Sequence, residues 1–192
     1  MRDSADHSPE LRLKVIERIQ KRAIHAEVTY SLEEMYGDDG KILQGAIDLH
    51  VFIDYEDKVQ IGTGEIFQIS HFMISEAYLE DFADCQSGHF LDAATWWNKS
   101  ETAADFKDDH ERWYYLSKFE IKKEYRRLGI GSHAVDIALR TAGALDFPVV
   151  IYPDKDAEMG HENLVKFWLS THRKAKYDKE NSIVYVDWWS KE

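Results

Sequence analysis

The chain has 192 residues, a length expected for a single domain with its own hydrophobic core. Its 44% apolar and 13% aromatic content excludes a disordered or collagen-like chain, and its single cysteine, Cys85, excludes a disulfide framework and a cysteine-rich zinc site. The formal net charge of −12 argues against a broad nucleic-acid-binding surface. Since residues 1–8 are polar and no long apolar run occurs, we expect a cytoplasmic protein without membrane attachment.

The negative charge is concentrated in the first part of the chain. Residues 1–110 carry a formal net charge of −13, whereas residues 111–192 carry +1. The acids are densest over 54–109, with 13 acidic side chains against 3 basic ones. We therefore expect a single domain, 1–192, whose acidic first part and near-neutral second part have different tasks.

The apolar spacing of the first part predicts both helices and strands. Apolar residues at three- and four-residue intervals indicate amphipathic helices, and alternation of apolar and polar residues indicates strands. A break is expected at Ser87-Gly88, inside a helical insertion. The predicted elements are a helix over 9–23, strands over 26–33, 46–55 and 59–70, a turn over 37–40, a helical insertion over 75–97 and a polar connector over 98–109.

The second part follows the order strand, glycine turn, helix, strand, helix, strand. The first strand and the one after the helix are predicted to lie parallel, in a right-handed βαβ unit. The predicted elements are a strand over 113–121, a charged arm over 122–127, a helix whose apolar face runs from 134 to 145, a strand over 149–152, a helix over 162–174 and a strand over 182–189.

Gly129 and Gly131 stand where this first helix begins. The N–H groups at a helix start are unpaired and attract phosphate, and cationic side chains precede the turn in an otherwise acidic protein. A phosphate or pyrophosphate ligand is predicted, with a tight turn that binds nothing as the alternative. A P-loop is excluded because Ser132, rather than lysine, follows Gly131. The dinucleotide fingerprint is disfavoured because a charged arm separates the turn from its strand and only about sixty residues follow.

The run Ile121-x-x-x-Tyr125-Arg126-Arg127-x-Gly129-Ile130-Gly131-Ser132 resembles the cofactor motif of the GNAT superfamily of N-acetyltransferases, Gln/Arg-x-x-Gly-x-Gly/Ala. The order of elements over 113–189 is also similar to that family. The resemblance implies an α/β GNAT-like fold with a mostly antiparallel central sheet, a parallel strand pair at the cofactor site and flanking helices. It also implies acetyl-CoA (coenzyme A) as the cofactor.

The cofactor residues that this resemblance implies lie in three places. Backbone groups of Phe119 and Ile121 would pair with the pantetheine arm, and Asn163 would touch the cofactor from the last helix. Trp168 stands where family members often have a tyrosine that protonates the leaving thiolate, a task for which an indole N–H is unsuited. The pyrophosphate turn would comprise Arg126, Arg127, Leu128, Gly129, Ile130, Gly131 and Ser132.

Candidates for a general base are few. Tyr115 has the same strand parity as Ile121, so it is predicted to share its face of the sheet, and Tyr152 and Asp154 end the neighbouring strand. For each of the three the competing interpretation is a packing or solvent-exposed residue. Glu120, of opposite parity, is expected on the other face.

Two functions compete on this sequence. The first is an acetyl-CoA-dependent N-acetyltransferase whose primary-amine acceptor, a cationic small molecule or a protein, is attracted by the acids of 75–97. The alternative is a catalytically silent GNAT-like fold that acts as an acidic protein-binding or nucleic-acid-mimicking module. Neither a metal nor direct nucleic-acid binding is expected, and the tryptophan pairs are interpreted as core or homodimer contacts.

Overall fold

A computed structural model describes residues 24–31, 44–53, 59–70, 75–127, 129–154 and 160–186. Within these ranges seven strands form one sheet in the order β1-β2-β3-β4-β5-β7-β6, and five α-helices flank it. The strands are β1 (Ile24–Ser31), β2 (Gln44–Ile53), β3 (Val59–Ser70), β4 (Arg112–Ile121), β5 (Val149–Ile151), β6 (Ala175–Asp178) and β7 (Ile183–Val186). The helices are α1 (Glu76–Gln86), α2 (Gly88–Lys99), α3 (Glu101–Asp109), α4 (Gly131–Thr141) and α5 (His161–Thr171).

The sheet is mixed. Strands β4 and β5 pair in parallel, and the other pairings among the described strands are antiparallel. Helix α4 makes the crossover between the parallel strands, as a parallel pair requires. This architecture confirms the predicted α/β fold, with a mostly antiparallel central sheet, one parallel strand pair and flanking helices.

Two buried clusters lie on opposite faces of the sheet. On the first, which we call the α4 face, helices α4 and α5 pack through Val135, Leu139 and Trp168. On the second, the α2 face, helices α1, α2 and α3 pack through an aromatic cluster that includes Phe90 and Trp97. Strands β4, β5 and β7 therefore send alternate side chains into one cluster and then the other.

Three serines cap the N-termini of the helices on the α2 face. The side chains of Ser75, Ser87 and Ser100 each accept a hydrogen bond from the backbone N–H three residues later, which caps α1, α2 and α3 in turn. The predicted break at Ser87 and the insertion of this helical region between the third and fourth strands are confirmed. The polar connector predicted over 98–109 is wrong. Because Ser100 caps it and Phe106 is buried, that segment forms α3.

Other boundaries differ from the prediction by a few residues, and one strand was not predicted. Helix α4 ends at Thr141, since Gly143 takes a positive φ of 70°. Strand β6 was not predicted, because its four residues are too few to show a pattern. The predicted helix over 9–23 and turn over 37–40 lie outside the described residues. None of the described helices is long and apolar enough to span a membrane.

Candidate functional site: a fork between two parallel strands

Strands β4 and β5 separate in the middle of the sheet. Their pairing covers Tyr114 to Leu116 and ends with Leu116 opposite Ile151, where β5 itself ends. Strand β4 continues to Ile121, so its edge beyond Leu116 is not covered by β5. We call this opening the fork.

A β-bulge lies where the fork begins. Leu116 is opposite Ile66 on β3, whereas Lys118 is opposite Glu65, so Ser117 is an extra residue on β4. A bulge bends its strand and reverses the alternation of side chains that follow it. It therefore turns β4 away from β5.

The hydrogen bonds of β4 show which backbone groups face the fork. The N–H of Lys122 donates to the carbonyl of Ile61 on β3, at 2.8 Å. Because antiparallel strands direct alternate residues to opposite edges, Ile121 and Phe119 direct their N–H and C=O groups away from β3 and towards the fork. The carbonyl of Ile121 accepts a hydrogen bond from Nε of Arg126, at 2.6 Å.

The chain after β4 turns back to begin α4 beside the fork. Arg127 and Gly129 take positive φ angles of 62° and 77°, and both are exposed. Ile130 is the N-cap of α4, and no side chain caps the helix. Among the described residues, no N-cap side chain accepts from the first N–H groups of α4, and the helix dipole adds positive potential at this point. Leu128 lies outside the described residues.

Helix α5 closes the α4 face of the fork with aromatic rings. The ring of Phe167 lies 3.0 Å from where a β-carbon on Gly131 would stand, so the first residue of α4 must be small. Trp168 packs edge to face on Phe119, with ring centroids 6.4 Å apart. Trp168 is 5% exposed, so its indole is a packing group that joins α5 to β4.

The cationic side chains near the turn differ in their contacts and in their exposure. The Arg126 guanidinium bonds to Ile121 and also pairs with the Glu120 carboxylate at 2.5 Å, which fixes it against the end of β4. Lys122 and Arg127 are exposed. Arg126 therefore shapes the arm, and the exposed cations provide positive charge around the turn.

Tyr115 does not share a face with Ile121, so that prediction is wrong. Tyr115 lies in the aromatic cluster of the α2 face, whereas Ile121 packs on the α4 face, because the extra residue Ser117 reverses the alternation between them. Tyr115 stacks on Phe90 with centroids 4.4 Å apart. Burial raises the pKa of Tyr115, and nearby acidic groups add to this effect. At neutral pH it is a phenol, which donates a hydrogen bond more readily than it accepts a proton.

The remaining predicted residues lie around the end of β5 and the start of α5. Tyr152 points to the α2 face and stacks on His89 of α2, with centroids 4.7 Å apart. Asp154 is half-buried two residues further on, and Asn163 is exposed in the first turn of α5. His161 contacts both the Pro153 carbonyl at 3.2 Å and the Tyr177 hydroxyl at 3.1 Å, which joins the end of β5 to β6.

Sequence reasoning missed His89 and Phe167 as neighbours of the fork. No motif surrounds His89, and its approach to Tyr152 depends on how α2 packs across the sheet. Phe167 follows an ordinary helical spacing, and the small residue that it requires at Gly131 becomes visible when α4 and α5 are seen together.

The chain shows little similarity to known proteins. No protein-family model matches the chain, and no curated protein matches its sequence. Among solved structures, the mosquito protein arylalkylamine N-acetyltransferase like 5b is similar with a TM-score of 0.44 and 10% identity, over 72% of this chain and 71% of that chain. The geometry of the fork therefore carries the functional interpretation.

Proposed function

We propose that the protein is an acetyl-CoA-dependent N-acetyltransferase that acetylates a primary amine. The observation that carries this proposal is the fork itself, where the β4 edge at Phe119 that faces away from β3 pairs with no other described strand and lies beside the start of α4. A strand edge binds an extended amide-containing chain, and a helix start binds phosphate. One ligand that has both parts is an acyl-coenzyme A.

The residues of the fork fit such a ligand. Gly129 adopts a positive φ that favours glycine, and Gly131 leaves space that a side chain would fill. Phe119 and Ile121 would present backbone groups to the pantetheine arm, while the turn from Arg127 to Ser132 would present N–H groups to the pyrophosphate. Exposed Lys122 and Arg127 add charge of the right sign.

The chemistry assigned to the chain is mainly positioning. Acetyl-CoA would supply an activated thioester. The amine forms a bond to the acetyl carbon as the carbon–sulfur bond breaks, the sulfur keeps the electron pair, and the amine loses a proton while the thiol gains one. Holding a neutral amine at the fork accounts for acceleration without a strong general base. Because its pKa is raised, Tyr115 is assigned a hydrogen-bonding role and not that of a base.

Calorimetry with acetyl-CoA, followed by measurement of thiol release with a panel of primary amines, tests the proposal. We expect saturable binding, with a dissociation constant between about 1 μM and 1 mM, and thiol release that depends on the amine. Absence of binding at about millimolar ligand, together with no thiol release, would overturn the proposal.

Trp168 supports a second candidate, a catalytically silent fold that binds a protein partner. Its indole is buried against Phe119 and offers no acid for a leaving thiolate. This alternative predicts acetyl-CoA binding without turnover of any amine, or no binding at all. Amine-dependent thiol release that disappears when the α4 turn is altered would exclude it.

A further inference from the structure

The two sides of the fork are held in different ways. We call residues 117–121 the β4 arm and residues 152–154 the β5 arm. The β4 arm stays paired with β3 as far as Ile121, so the sheet itself fixes its position. The β5 arm begins after Ile151, the last residue that β5 pairs with β4 on one side and with β7 on the other. Within the described ranges the β5 arm pairs with no strand, so the width of the fork depends on the other contacts that hold this arm.

Pro153 lies in the middle of the β5 arm and is buried. A proline has no N–H, so the carbonyl is its one main-chain group that forms hydrogen bonds. Nδ1 of His161, the first residue of α5, lies 3.2 Å from this carbonyl oxygen. A buried carbonyl that loses its partner costs stability, so this bond ties the β5 arm to the start of α5.

The two hydrogen bonds of His161 define the state of its ring. Because a carbonyl oxygen can only accept, the hydrogen of the neutral ring lies on Nδ1. Nε2 is then an acceptor, and the Tyr177 hydroxyl, 3.1 Å away, donates to it. Both ring nitrogens therefore have a partner, and the ring is oriented between the β5 arm and β6.

Tyr177 is anchored at the level of the sheet where the fork begins. It is opposite Val184 of β7, and Val184 in turn is opposite Ile151. The side chains of all three pack in the cluster of the α4 face. Through Tyr177 and through its place in α5, His161 therefore connects the β5 arm to a part of the molecule that the sheet and the α4 face hold firmly.

We propose that His161 is a positioning residue, which holds the β5 arm through the Pro153 carbonyl and so sets the width of the fork. This inference rests on the proposed acetyltransferase function and deepens it. His161 acts through Pro153 and needs no contact with either reactant. Because acyl transfer requires close alignment of the amine and the thioester, a displaced β5 arm should slow the chemical step. The affinity for acetyl-CoA should not change, since the β4 arm and the α4 turn would bind it.

Two amide variants separate the two contacts of His161. The side-chain amide of asparagine can place an N–H where Nδ1 of histidine stands, whereas the amide of glutamine reaches as far as Nε2. His161→Asn should therefore keep the bond to Pro153, and His161→Gln should keep the contact with Tyr177 alone. Neither amide titrates, so neither variant could replace a histidine that carried a proton in the reaction.

The kinetic test measures thiol release from acetyl-CoA with the primary amine that the unaltered protein uses fastest, at saturating amine. We expect His161→Ala and His161→Gln each to lower kcat at least about tenfold and to leave the dissociation constant of acetyl-CoA within about twofold. His161→Asn should keep kcat within about threefold of the unaltered value. If His161→Asn were as slow as His161→Ala, the positioning role would be overturned.

His110 provides a matched control. Like His161 it is half-buried and contacts an aromatic ring, with centroids 6.3 Å apart for His110 and Phe147 and 6.4 Å apart for His161 and Tyr177. It lies just before β4, at the end of that strand away from the fork. His110→Ala should therefore leave both kcat and acetyl-CoA binding unchanged. A loss of kcat as large as that in His161→Ala would count against a specific role for His161.

Amide hydrogen exchange on the full chain measures the β5 arm without reference to activity. When the arm is released, β5 (Val149–Ile151) should open from its end, so its amides should exchange at least about tenfold faster in His161→Ala and His161→Gln but not in His161→Asn. If the unaltered protein releases no thiol with any amine, the acetyltransferase proposal fails, whereas this pattern of exchange still supports the hold of His161 on the arm. If thiol is released, but the three His161 variants match the unaltered protein in kcat and in exchange, the positioning proposal fails alone.

Discussion

Phe167 of α5 limits the size of Gly131 at the start of α4, since a β-carbon there would lie 3.0 Å from the ring atom Cε2. This contact is closer than most carbon–carbon contacts, so alanine at 131 must displace the ring. We expect Gly131→Ala to destabilise the protein by about 1 kcal/mol. When Phe167→Leu is present the crowding disappears, and the same change should become neutral or stabilising. Urea unfolding of the two single variants and the double variant measures this coupling, and purely additive effects would contradict it.

Gly88 provides a control for this experiment. Like Gly131 it is the first residue of a helix, but a β-carbon there would meet nothing within 4 Å. Alanine is a better helix former than glycine, so Gly88→Ala should stabilise the protein by about 0.5–1 kcal/mol. If both alanine variants gave the same stability change, the Phe167 contact would not be the cause of the Gly131 effect.

Gly129 and Gly143 test whether the turn before α4 binds acetyl-CoA. Both have a positive φ, 77° and 70°, and a β-carbon at either position would meet nothing within 4 Å. Alanine at either position should cost about 1–2 kcal/mol of stability because of the backbone conformation. We expect Gly129→Ala alone to weaken acetyl-CoA binding in calorimetry, by about tenfold or more, since Gly143 follows the other end of the helix. Equal acetyl-CoA binding by both variants would show that the turn before α4 does not bind acetyl-CoA.

The sequence was sufficient for the glycine turn and for the elements of the second part other than β6, because helix and strand periodicity are local properties. The sequence did not predict correctly on which face of the sheet the side chains of β4 lie. Tyr115 and Ile121 have the same parity, and the bulge at Ser117 that separates them depends on how β3 pairs with β4. The same limitation applies to His89, whose contact with Tyr152 joins residues 63 positions apart through helix packing.

Arg126 is predicted to act on the conformation of the arm rather than by charge alone. Its Nε donates to the Ile121 carbonyl, whereas its partner Glu120 is an exposed residue. Glu120→Gln should therefore change stability by less than about 0.5 kcal/mol, because exposed ion pairs contribute little. Arg126→Gln removes the hydrogen bond as well and should cost about 1 kcal/mol. Arg127→Gln, an exposed cation beside it, should leave stability unchanged and weaken acetyl-CoA binding in a salt-dependent way.

These three variants are compared by urea unfolding and by calorimetry at low and high salt. A loss of stability in Glu120→Gln as large as that in Arg126→Gln would show that the ion pair, and not the bond to Ile121, stabilises the arm. If acetyl-CoA binding is equally sensitive to salt in Arg127→Gln and in the unaltered protein, the Arg127 charge does not contribute to acetyl-CoA binding.

We expect the Asp178 carboxyl to make the stability of the fold depend on pH. Burial raises the pKa of its carboxyl, but hydrogen bonds from Asn181 and from the Trp96 indole, at 2.9 Å each, outweigh burial and hold the pKa below 3.8. A carboxyl with a lowered pKa stabilises the folded state above the unfolded pKa and loses this contribution as the pH falls through the folded value. We expect Asp178→Asn to cost about 1–2 kcal/mol at neutral pH, because the β6–β7 turn and its link to α2 are weakened. In urea unfolding at a series of pH values, the stability difference from the unaltered protein should shrink as the pH falls through the lowered pKa of Asp178. A difference that stayed constant with pH would mean that shape, and not charge, accounts for the role of Asp178.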